Sequence, residues 1–318
     1  MMCILGVYLG KDTYSYSFPD GHPMNSKRIE CFQRLLESQS LMMHKEVKVI
    51  PPPLADEESI LSFHTLEYVK FVKMASERGH GYLDYGDTPA YPKIFEATCY
   101  VVGAVVDALH RVMSKEFLHA FIPMAGLHHA RKASAAGFCV FNDIAIAIVQ
   151  AERIYRLKRI LYVDIDAHHG DGVLYEFYDD PKVYIADIHE DGRYLYPGTG
   201  HPHETGSGNA VGTKLNIPLP PMAGDEAFEE AFGKVLNFAK DVKPELVIFQ
   251  CGADGLAGDP LTHLRYTTKT HELATRSLHL LAHEFCDGKL IVMGGGGYNP
   301  EKTAEAWLVV VKTLLKNP

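Results

Sequence analysis

Three features are missing from this sequence of 318 residues, and each absence excludes a class of protein. Lysine and arginine, 31 together, are outnumbered by 40 aspartates and glutamates, so the basic surplus that nucleic-acid binding requires is absent. No run approaches about 18 uninterrupted apolar residues, which argues against a membrane span. The segment MMCILGVYLGKD has no basic region before its short apolar run, so no signal peptide is predicted.

Cysteine is scarce, and its distribution is informative. The six cysteines are scattered singly without a CxxC pair, which is typical of reduced core residues in a cytoplasmic protein rather than of a disulfide framework. No Ser- or Pro-rich linker and no internal repeat divides the chain. The composition, 47% hydrophobic and 22% charged, is that of an ordinary globular protein. The length suggests two domains, but α/β proteins of this size are often a single one, so without a linker we expect one domain over residues 1–318.

Short β-branched apolar runs alternate with longer segments of helical period. This alternation predicts an α/β fold, an open parallel sheet with helices on both faces. The runs RILYVDID and VKPELVIFQCG are nearly all apolar, as expected for strands buried on both sides. The predicted strands are Ile4–Leu9, Leu118–Ile122, Ile160–Asp164, Val183–Asp187, Leu246–Cys251 and Leu290–Met293. The predicted helices are Ser26–Glu37, Leu66–Glu77, Ile94–Met113, Asn142–Tyr155, Glu226–Lys240, Thr270–Phe285 and Glu301–Leu315.

Several polar loops follow predicted strands: PMAGLHHA, DIDAHHGD, GADGLAGDP and GGGGYNP. In an open parallel sheet, ligands bind beyond the carboxyl ends of the strands, so these loops are expected to share one rim. In DIDAHHGD, Asp164, Asp166 and His168 are spaced by two and therefore project to one face of an extended chain. Such crowded carboxylates resist ionisation unless a cation joins them. A divalent metal is the favoured reading, and a solvated acidic loop is the alternative.

A third anionic ligand is available from Asp254, just past a buried strand. Asp166, His168 and Asp254 would leave an open position for water and substrate, as a catalytic zinc requires. The pair His128-His129 fits a metal site, a polar loop or a proton relay near neutral pH.

Four glycines, 294–297, precede Tyr298, and they let the backbone approach another group closely or move. A phosphate cradle is the alternative, but the run lacks the Lys-Ser/Thr ending of a P-loop. We interpret Tyr298 as a hydroxyl donor aimed into the site. Asp259, which precedes Pro260, is equally well interpreted as a turn residue.

Taken together, these segments resemble the histone deacetylase family, including its bacterial and archaeal acetoin-utilisation and deacetylase-like members. The resemblance runs from HPMNSKR (22–28) to the helix that carries Trp307. Five motifs stand in the family's order: GLHHARKASAAGFCVFND, YVDIDAHHGDGV, YPGTG, CGADGLAGDP and GGGGYNP.

The resemblance implies a zinc-dependent amidohydrolase in which Asp166, His168 and Asp254 bind zinc, with ferrous iron as the alternative metal in cells. It also implies two structural potassium sites. The first would use Asp164, Asp166, His168, Asp187 and Ile188, and the second would use backbone carbonyls near Phe177, Asp180 and Val183.

The resemblance also implies the catalytic roles. His129 would be the general base and acid, with His128 as its partner. Asp171 would orient His129, and Asp164 would orient His128. Tyr298 would donate a hydrogen bond to the substrate carbonyl and then to the tetrahedral oxyanion.

For the substrate, the resemblance implies a narrow tunnel for an acyl-lysine side chain. Gly137 and Phe138, from the GFC stretch, and Tyr196 would form its walls, and Asp87 would grip the substrate backbone at the rim. Polyamine-specific members place a glutamate after the GDP turn, where this sequence has Leu261. Leu261 is apolar and suits a neutral acyl-lysine chain better than a cationic polyamine.

The expected reaction is therefore hydrolysis of N-acetyl-lysine, in a protein or peptide, to acetate and a free amine. Neither a nucleic acid nor a membrane is an expected partner. Three alternatives remain: a deacetylase of acetylpolyamines or other small acylated amines, a two-manganese ureohydrolase of the same fold, and a catalytically silent binder of acyl-lysine. A two-metal site needs a DxD pair on the second strand, where only Asp254 is present, followed by Gly255 and Leu256.

Overall fold

In the computed structural model, which describes residues 5–19 and 21–317, eight strands form one sheet. Their order is β2-β1-β3-β8-β7-β4-β5-β6, and every neighbouring pair is parallel, which confirms the predicted fold class. The strands are β1 Leu5–Tyr8, β2 Val47–Ile50, β3 His119–Ile122, β4 Ile160–Asp164, β5 Val183–Glu190, β6 Lys214–Leu219, β7 Leu246–Gln250 and β8 Leu290–Met293. Ile4 and Cys3 lie outside the described residues.

Helices flank the sheet in two groups that each pack side by side. One group contains α2, α3, α4, α5 and α6, and the other contains α1, α9, α8 and α7. The helices are α1 Lys27–Ser38, α2 Glu57–Leu61, α3 Leu66–Arg78, α4 Ile94–Met113, α5 Asp143–Tyr155, α6 Asp171–Glu176, α7 Asp225–Val242, α8 Thr268–Cys286 and α9 Pro300–Leu314. Among the described residues, none of the helices is long and apolar enough to cross a membrane.

Two strands, β2 and β6, were not predicted from the sequence, and both lie at the edges of the sheet. An edge strand is half-covered, so it does not carry the continuous apolar run of a central strand. In β6, the sequence KLNIPL also contains Pro218, a residue that sheets tolerate at their edges. The short helices α2 and α6 were not predicted either.

The register of the central strands decides which loops meet. Asp164, the last residue of β4, lies opposite Asp187 of β5 and Gln250 of β7. Met293, the last residue of β8, lies opposite Gln250 and Ile122. The strands therefore end at the same level, so the polar loops that follow β3, β4, β7 and β8 emerge together.

Candidate active site

Two loops bring the three candidate metal ligands together. Asp166 and His168 follow β4, Asp254 follows β7, and one ligand atom from each lies within 4.8 Å of the others. Nδ1 of His168 is 3.1 Å from Oδ1 of Asp166 and 2.9 Å from Oδ2 of Asp254. All three residues are buried or nearly so.

The two carboxylates of this cluster favour a positive charge between them, and they raise the pKa of His168 to about 10 against the effect of burial. Burial, together with the negative charge of Asp166, raises the pKa of Asp254 to about 7. A divalent metal ion accepts two carboxylates and an imidazole as ligands. His168 also lines a cavity through which the ion would meet its substrate. The residues present therefore fit the metal that the sequence predicted.

Backbone and side-chain donors hold one oxygen of Asp166 and leave the other facing His168. Oδ2 of Asp166 accepts hydrogen bonds from Nε2 of Gln250 and from the backbone N–H of Gly296, both at 2.8 Å. A Cβ atom on Gly296 would lie 2.5 Å from Oδ2 of Asp254, so only glycine permits this approach. Since this glycine donates to Asp166, the phosphate-cradle alternative finds no support.

Beside this cluster lie two His–Asp pairs. Nδ1 of His128 is 2.8 Å from Oδ2 of Asp164, and Nδ1 of His129 is 2.7 Å from Oδ1 of Asp171. The two Nε2 atoms are 3.1 Å apart. The carboxylates hold the two Nδ1 atoms, so the two Nε2 atoms lie on the opposite side of each ring, where they face each other.

The two pairs have similar geometry, but the pKa of one histidine is lowered and the pKa of the other is raised. Burial and the positive charge of His128 lower the pKa of His129 to about 4, although Asp171 opposes the change. Burial also disfavours the charged form of His128, but Asp164 and Asp166 outweigh it and raise its pKa to about 10. His129 is therefore neutral at pH 7, and its Nε2 can accept a proton.

Sequence reasoning missed two buried residues that support this arrangement. Asp143, at the start of α5, accepts the backbone N–H groups of Gly126 and Leu127 at 2.7 and 2.8 Å, and so fixes the segment that leads into His128. Gln250 holds Asp166. The available signals were weak: an acid within an apolar helix, and one polar residue ending the strand LVIFQ.

A third missed residue, Arg131, lies beside the second His–Asp pair. Its Nη2 donates to Oδ2 of Asp171 at 2.8 Å. Asp171 therefore bridges Arg131 and His129. Asp171 belongs to the short helix α6, which no local sequence pattern predicts.

The predicted substrate residues surround one cavity of about 230 Å³. It is lined by His129 and His168, by Tyr298, and by the five residues predicted to bind substrate: Asp87, Gly137, Phe138, Tyr196 and Leu261. Leu195, which was not predicted, completes the lining.

Aromatic rings and one glycine shape the walls of this cavity. The Phe138 ring lies 5.7 Å from the Tyr298 ring at 85°, and the Tyr196 ring lies 5.1 Å from the His129 ring at 78°. A Cβ atom on Gly137 would lie 2.6 Å from Cδ2 of His129, and its φ of +50° is a left-handed value. Gly137 therefore keeps His129 accessible from the cavity.

Tyr298 reaches the cavity from the loop between β8 and α9. Burial raises the pKa of its hydroxyl well above the ordinary value, so the hydroxyl keeps its proton and can donate it in a hydrogen bond. The backbone N–H of Tyr298 donates to Oδ2 of Asp259 at 2.7 Å. Oδ1 of Asp259 accepts from the N–H of Leu261 at 2.9 Å, so Asp259 serves as a turn residue and also joins two loops.

The two predicted potassium sites differ. At the first, Asp164 ends β4 and lies opposite Asp187 within β5, with Ile188 next, and both carboxylates are buried. The carboxylate of Asp187 is already held by Nδ1 of His189 at 2.6 Å and by the backbone N–H of Gly170 at 2.8 Å. At the second, Nζ of Lys214 donates to the backbone carbonyls of Asp180 (3.1 Å) and Val183.

An ion at the second site would compete with the Lys214 ammonium for these oxygens. The second site therefore does not fit potassium, although Phe177 ends α6 as part of the same loop. This contact is not predictable from the sequence, because Lys214 belongs to the edge strand β6, which no local pattern predicts.

Comparison with known proteins agrees with this arrangement. The family model for the histone deacetylase domain matches residues 22–314. The chain belongs to the histone deacetylase family. This family member is 40% identical over 316 residues to acetoin utilization protein AcuC of Bacillus subtilis (strain 168), covering 95% of the chain and 81% of that relative.

A second relative is acetoin utilization protein AcuC of Staphylococcus aureus (strain MRSA252), 33% identical over 330 residues, or 98% of this chain and 83% of the relative. The crystal structure of the HDA15 HD domain superposes with a TM-score of 0.91 at 27% identity, covering 99% of this chain and 89% of that one. Membership of the histone deacetylase family makes the protein a hydrolase of the deacetylase type.

Proposed function

We propose that the protein is a zinc-dependent deacetylase that hydrolyses N-acetyl-lysine, in a protein or peptide, to acetate and a free amine. The observation that carries this proposal is the convergence of His129, His168 and Tyr298 on one cavity. In this proposal, residues 1–318 form a single catalytic domain. The protein acts in the cytoplasm, consistent with the five described cysteines, which are buried and unpaired.

Asp166, His168 and Asp254 would hold the metal, which is zinc or, in cells, ferrous iron. When bound, the metal supplies a Lewis acid for the amide carbonyl and lowers the pKa of water so that a nucleophile is available near neutral pH. Gln250 and Gly296 keep Asp166 in place for this task.

His129 moves the proton. It is neutral at pH 7, so its Nε2 accepts a proton from the attacking water and later delivers it to the leaving amine. Asp171 accepts from Nδ1–H of His129, so Nε2 is the basic nitrogen of this ring, and it lies 3.1 Å from Nε2 of His128. The His128–Asp164 pair is the partner whose charge keeps the pKa of His129 low.

Tyr298 stabilises the negative charge that develops on the carbonyl oxygen. Its hydroxyl keeps its proton, and within the described structure it donates to no protein group, so it is free to donate to a substrate. Asp259 positions it through the backbone N–H.

The cavity favours a slender, neutral acyl chain. The Phe138 and Tyr196 rings line the cavity, Asp87 lines it as well and would accept from a substrate backbone N–H, and Leu261 brings no charge to it. A polyamine would bring further cationic amines, and Leu261 offers them no acidic partner, which leaves Asp87 as the acidic residue of this lining. Small acylated amines therefore rank second.

The test is acetate release by purified, zinc-loaded protein from an acetyl-lysine peptide and from an N-acetylpolyamine, each with a chelator control. We expect chelator-sensitive turnover of the peptide. Turnover confined to the polyamine would contradict the substrate assignment. No chelator-sensitive release from either compound would contradict the deacetylase, and urea production with manganese would favour the ureohydrolase alternative.

Two variants at one position sharpen the substrate test. Leu261→Glu adds a negative charge at the rim, and Leu261→Gln has a similar shape without the charge. If rim charge decides the substrate, the ratio of polyamine to peptide kcat/KM should rise about tenfold in Leu261→Glu, as expected for a charge pair at the protein surface. The ratio in Leu261→Gln should stay near that of the unaltered protein.

A further inference from the structure

Three histidines form a cluster remote from the candidate active site. His119 begins β3, whereas the active-site loop follows the other end of that strand at Ile122. His279 and His283 lie four residues apart on α8 and therefore on the same face of the helix. The cluster thus joins the amino-terminal end of a central strand to a covering helix.

The ring nitrogens of this cluster are arranged as metal ligands are. One nitrogen from each histidine lies within 4.8 Å of the other two. Nε2 of His119 is 3.3 Å from Nε2 of His283, which matches the separation of about 3.3 Å that two Zn–N bonds of about 2.05 Å span in a tetrahedron. The ring centroids are 4.6, 4.8 and 5.2 Å apart, so all three rings surround one point.

Ordinary packing explains this cluster poorly. The two facing Nε2 atoms can share only one proton, and the Nδ1 atom of His119 is buried without a hydrogen-bond partner in the described structure. In the described ranges no carboxylate pairs with any of these three rings, whereas His128, His129 and His168 each have one. Buried imidazole rings whose nitrogen atoms lack so many hydrogen-bond partners are unusual unless a further group binds those nitrogens.

The cluster borders a pocket at the protein surface through His279. His279 lines a surface pocket of about 390 Å³, together with Arg276, Leu280, Thr313, Lys316 and Asn317. His283 is half-buried at the same helix face. A water from this pocket would be the fourth ligand of a tetrahedral site.

We propose that His119, His279 and His283 form a second metal site, which binds Zn²⁺ or another first-row divalent ion that prefers imidazole. Three neutral nitrogen ligands suit zinc, nickel or copper and do not suit magnesium or calcium, which require oxygen. The bound ion would link α8 to β3 and so stabilise the folded chain. This site is independent of the proposed deacetylase reaction.

The experiment distinguishes this site from the candidate active site by replacing the metal ligands of each site in turn. Asp166→Asn–Asp254→Asn removes the carboxylate ligands of the candidate active site, and bound zinc is then measured by equilibrium dialysis and elemental analysis. We expect about one Zn²⁺ per chain in this double variant and about two in the unaltered protein. Adding His279→Phe–His283→Phe to the double variant should abolish the remaining binding.

A matched control distinguishes the cluster from adventitious histidine binding. His201 and His203 are exposed and stacked at 5.4 Å, so His201→Phe–His203→Phe also removes two neighbouring histidines. The proposal is overturned if zinc is retained after loss of His279 and His283, or is lost with His201 and His203 instead. The conservative variant His283→Gln serves if the double replacement does not fold, and it should weaken zinc binding at least tenfold.

Discussion

The carboxylate of Asp259 accepts the backbone N–H of Tyr298 at 2.7 Å and thereby ties the loop after β7 to the loop after β8. The other carboxylate oxygen accepts the N–H of Leu261 at 2.9 Å. One side chain therefore sets the position of the proposed hydroxyl donor and of the residue at the cavity rim. Asp259 is a positioning residue in the proposed reaction.

Replacing Asp259 with alanine should reduce turnover more than substrate binding. Tyr298 would lose its anchor, and a misplacement of about 1 Å can cost about 100-fold in rate, so we expect kcat to fall between about tenfold and 100-fold. Steady-state kinetics on the acetylated peptide measures this. Asp225→Ala is the control, because Asp225 also accepts a backbone N–H, that of Thr267 at 2.7 Å, at an exposed turn. Equal losses in both variants would contradict the positioning role.

Tyr298→Phe should retain the bound metal and lose most of the turnover. Removing one donor to an oxyanion costs about 100- to 1000-fold in kcat. Elemental analysis and kinetics together test this, with Tyr155→Phe as control because the Tyr155 hydroxyl bonds to His110 away from the cavity. Near-normal activity of Tyr298→Phe would refute the assigned role.

The pH profile should report the charge of His128. Burial and that charge lower the pKa of His129 to about 4, and neutral His129 is the active form, so activity should persist into mildly acidic solution. His128→Gln removes the positive neighbour, so the pKa of His129 should rise and the acid limb of kcat/KM should move to higher pH. An unchanged limb, or one displaced to lower pH, would show that His128 does not act on His129 in this way.

Gly137→Ala should block the cavity without unfolding the protein. The added Cβ would lie 2.6 Å from His129 and 3.0 Å from Tyr196, so we expect kcat/KM to fall by at least about 100-fold. Gly233→Ala is the matched control, since a Cβ there meets no atom within 4 Å and lies within α7. That control should raise the free energy of unfolding by about 0.5–1 kcal/mol and leave activity unchanged.

Lys214→Met should make stability more dependent on potassium. Burial lowers the pKa of Lys214 to about 8, so the ammonium is charged at neutral pH and satisfies the carbonyls of Asp180 and Val183. Without it, these oxygens lose their partner at a cost of about 1–3 kcal/mol, which a potassium ion can offset. Thermal unfolding in KCl and in choline chloride measures this. Lys234→Met, at an exposed site, is the control. If potassium stabilises Lys214→Met no more than it stabilises this control and the unaltered protein, Lys214 does not take the place of a potassium ion.

Short-range patterns in the sequence determined the central strands and the grouping of the candidate metal ligands. The apolar runs of β4 and β7 predict buried parallel strands, and the spacing of Asp164, Asp166 and His168 predicts that they share one face at a strand end. These features depend on the period of an extended chain and on burial of both faces of a strand, which a short segment expresses by itself. Motif order then led to the family.

Only the tertiary structure decided which distant groups meet. The edge strands β2 and β6 are held by pairing with a neighbour rather than by their own apolar pattern, so the sequence did not reveal them or the position of Lys214. The contact of Asp259 with Tyr298 joins residues on two loops, and His119 meets His283 because β3 pairs with β8, on which α8 packs. Such contacts depend on how strands and helices that are far apart in the chain pack together. The spacing of residues within one segment does not determine that packing.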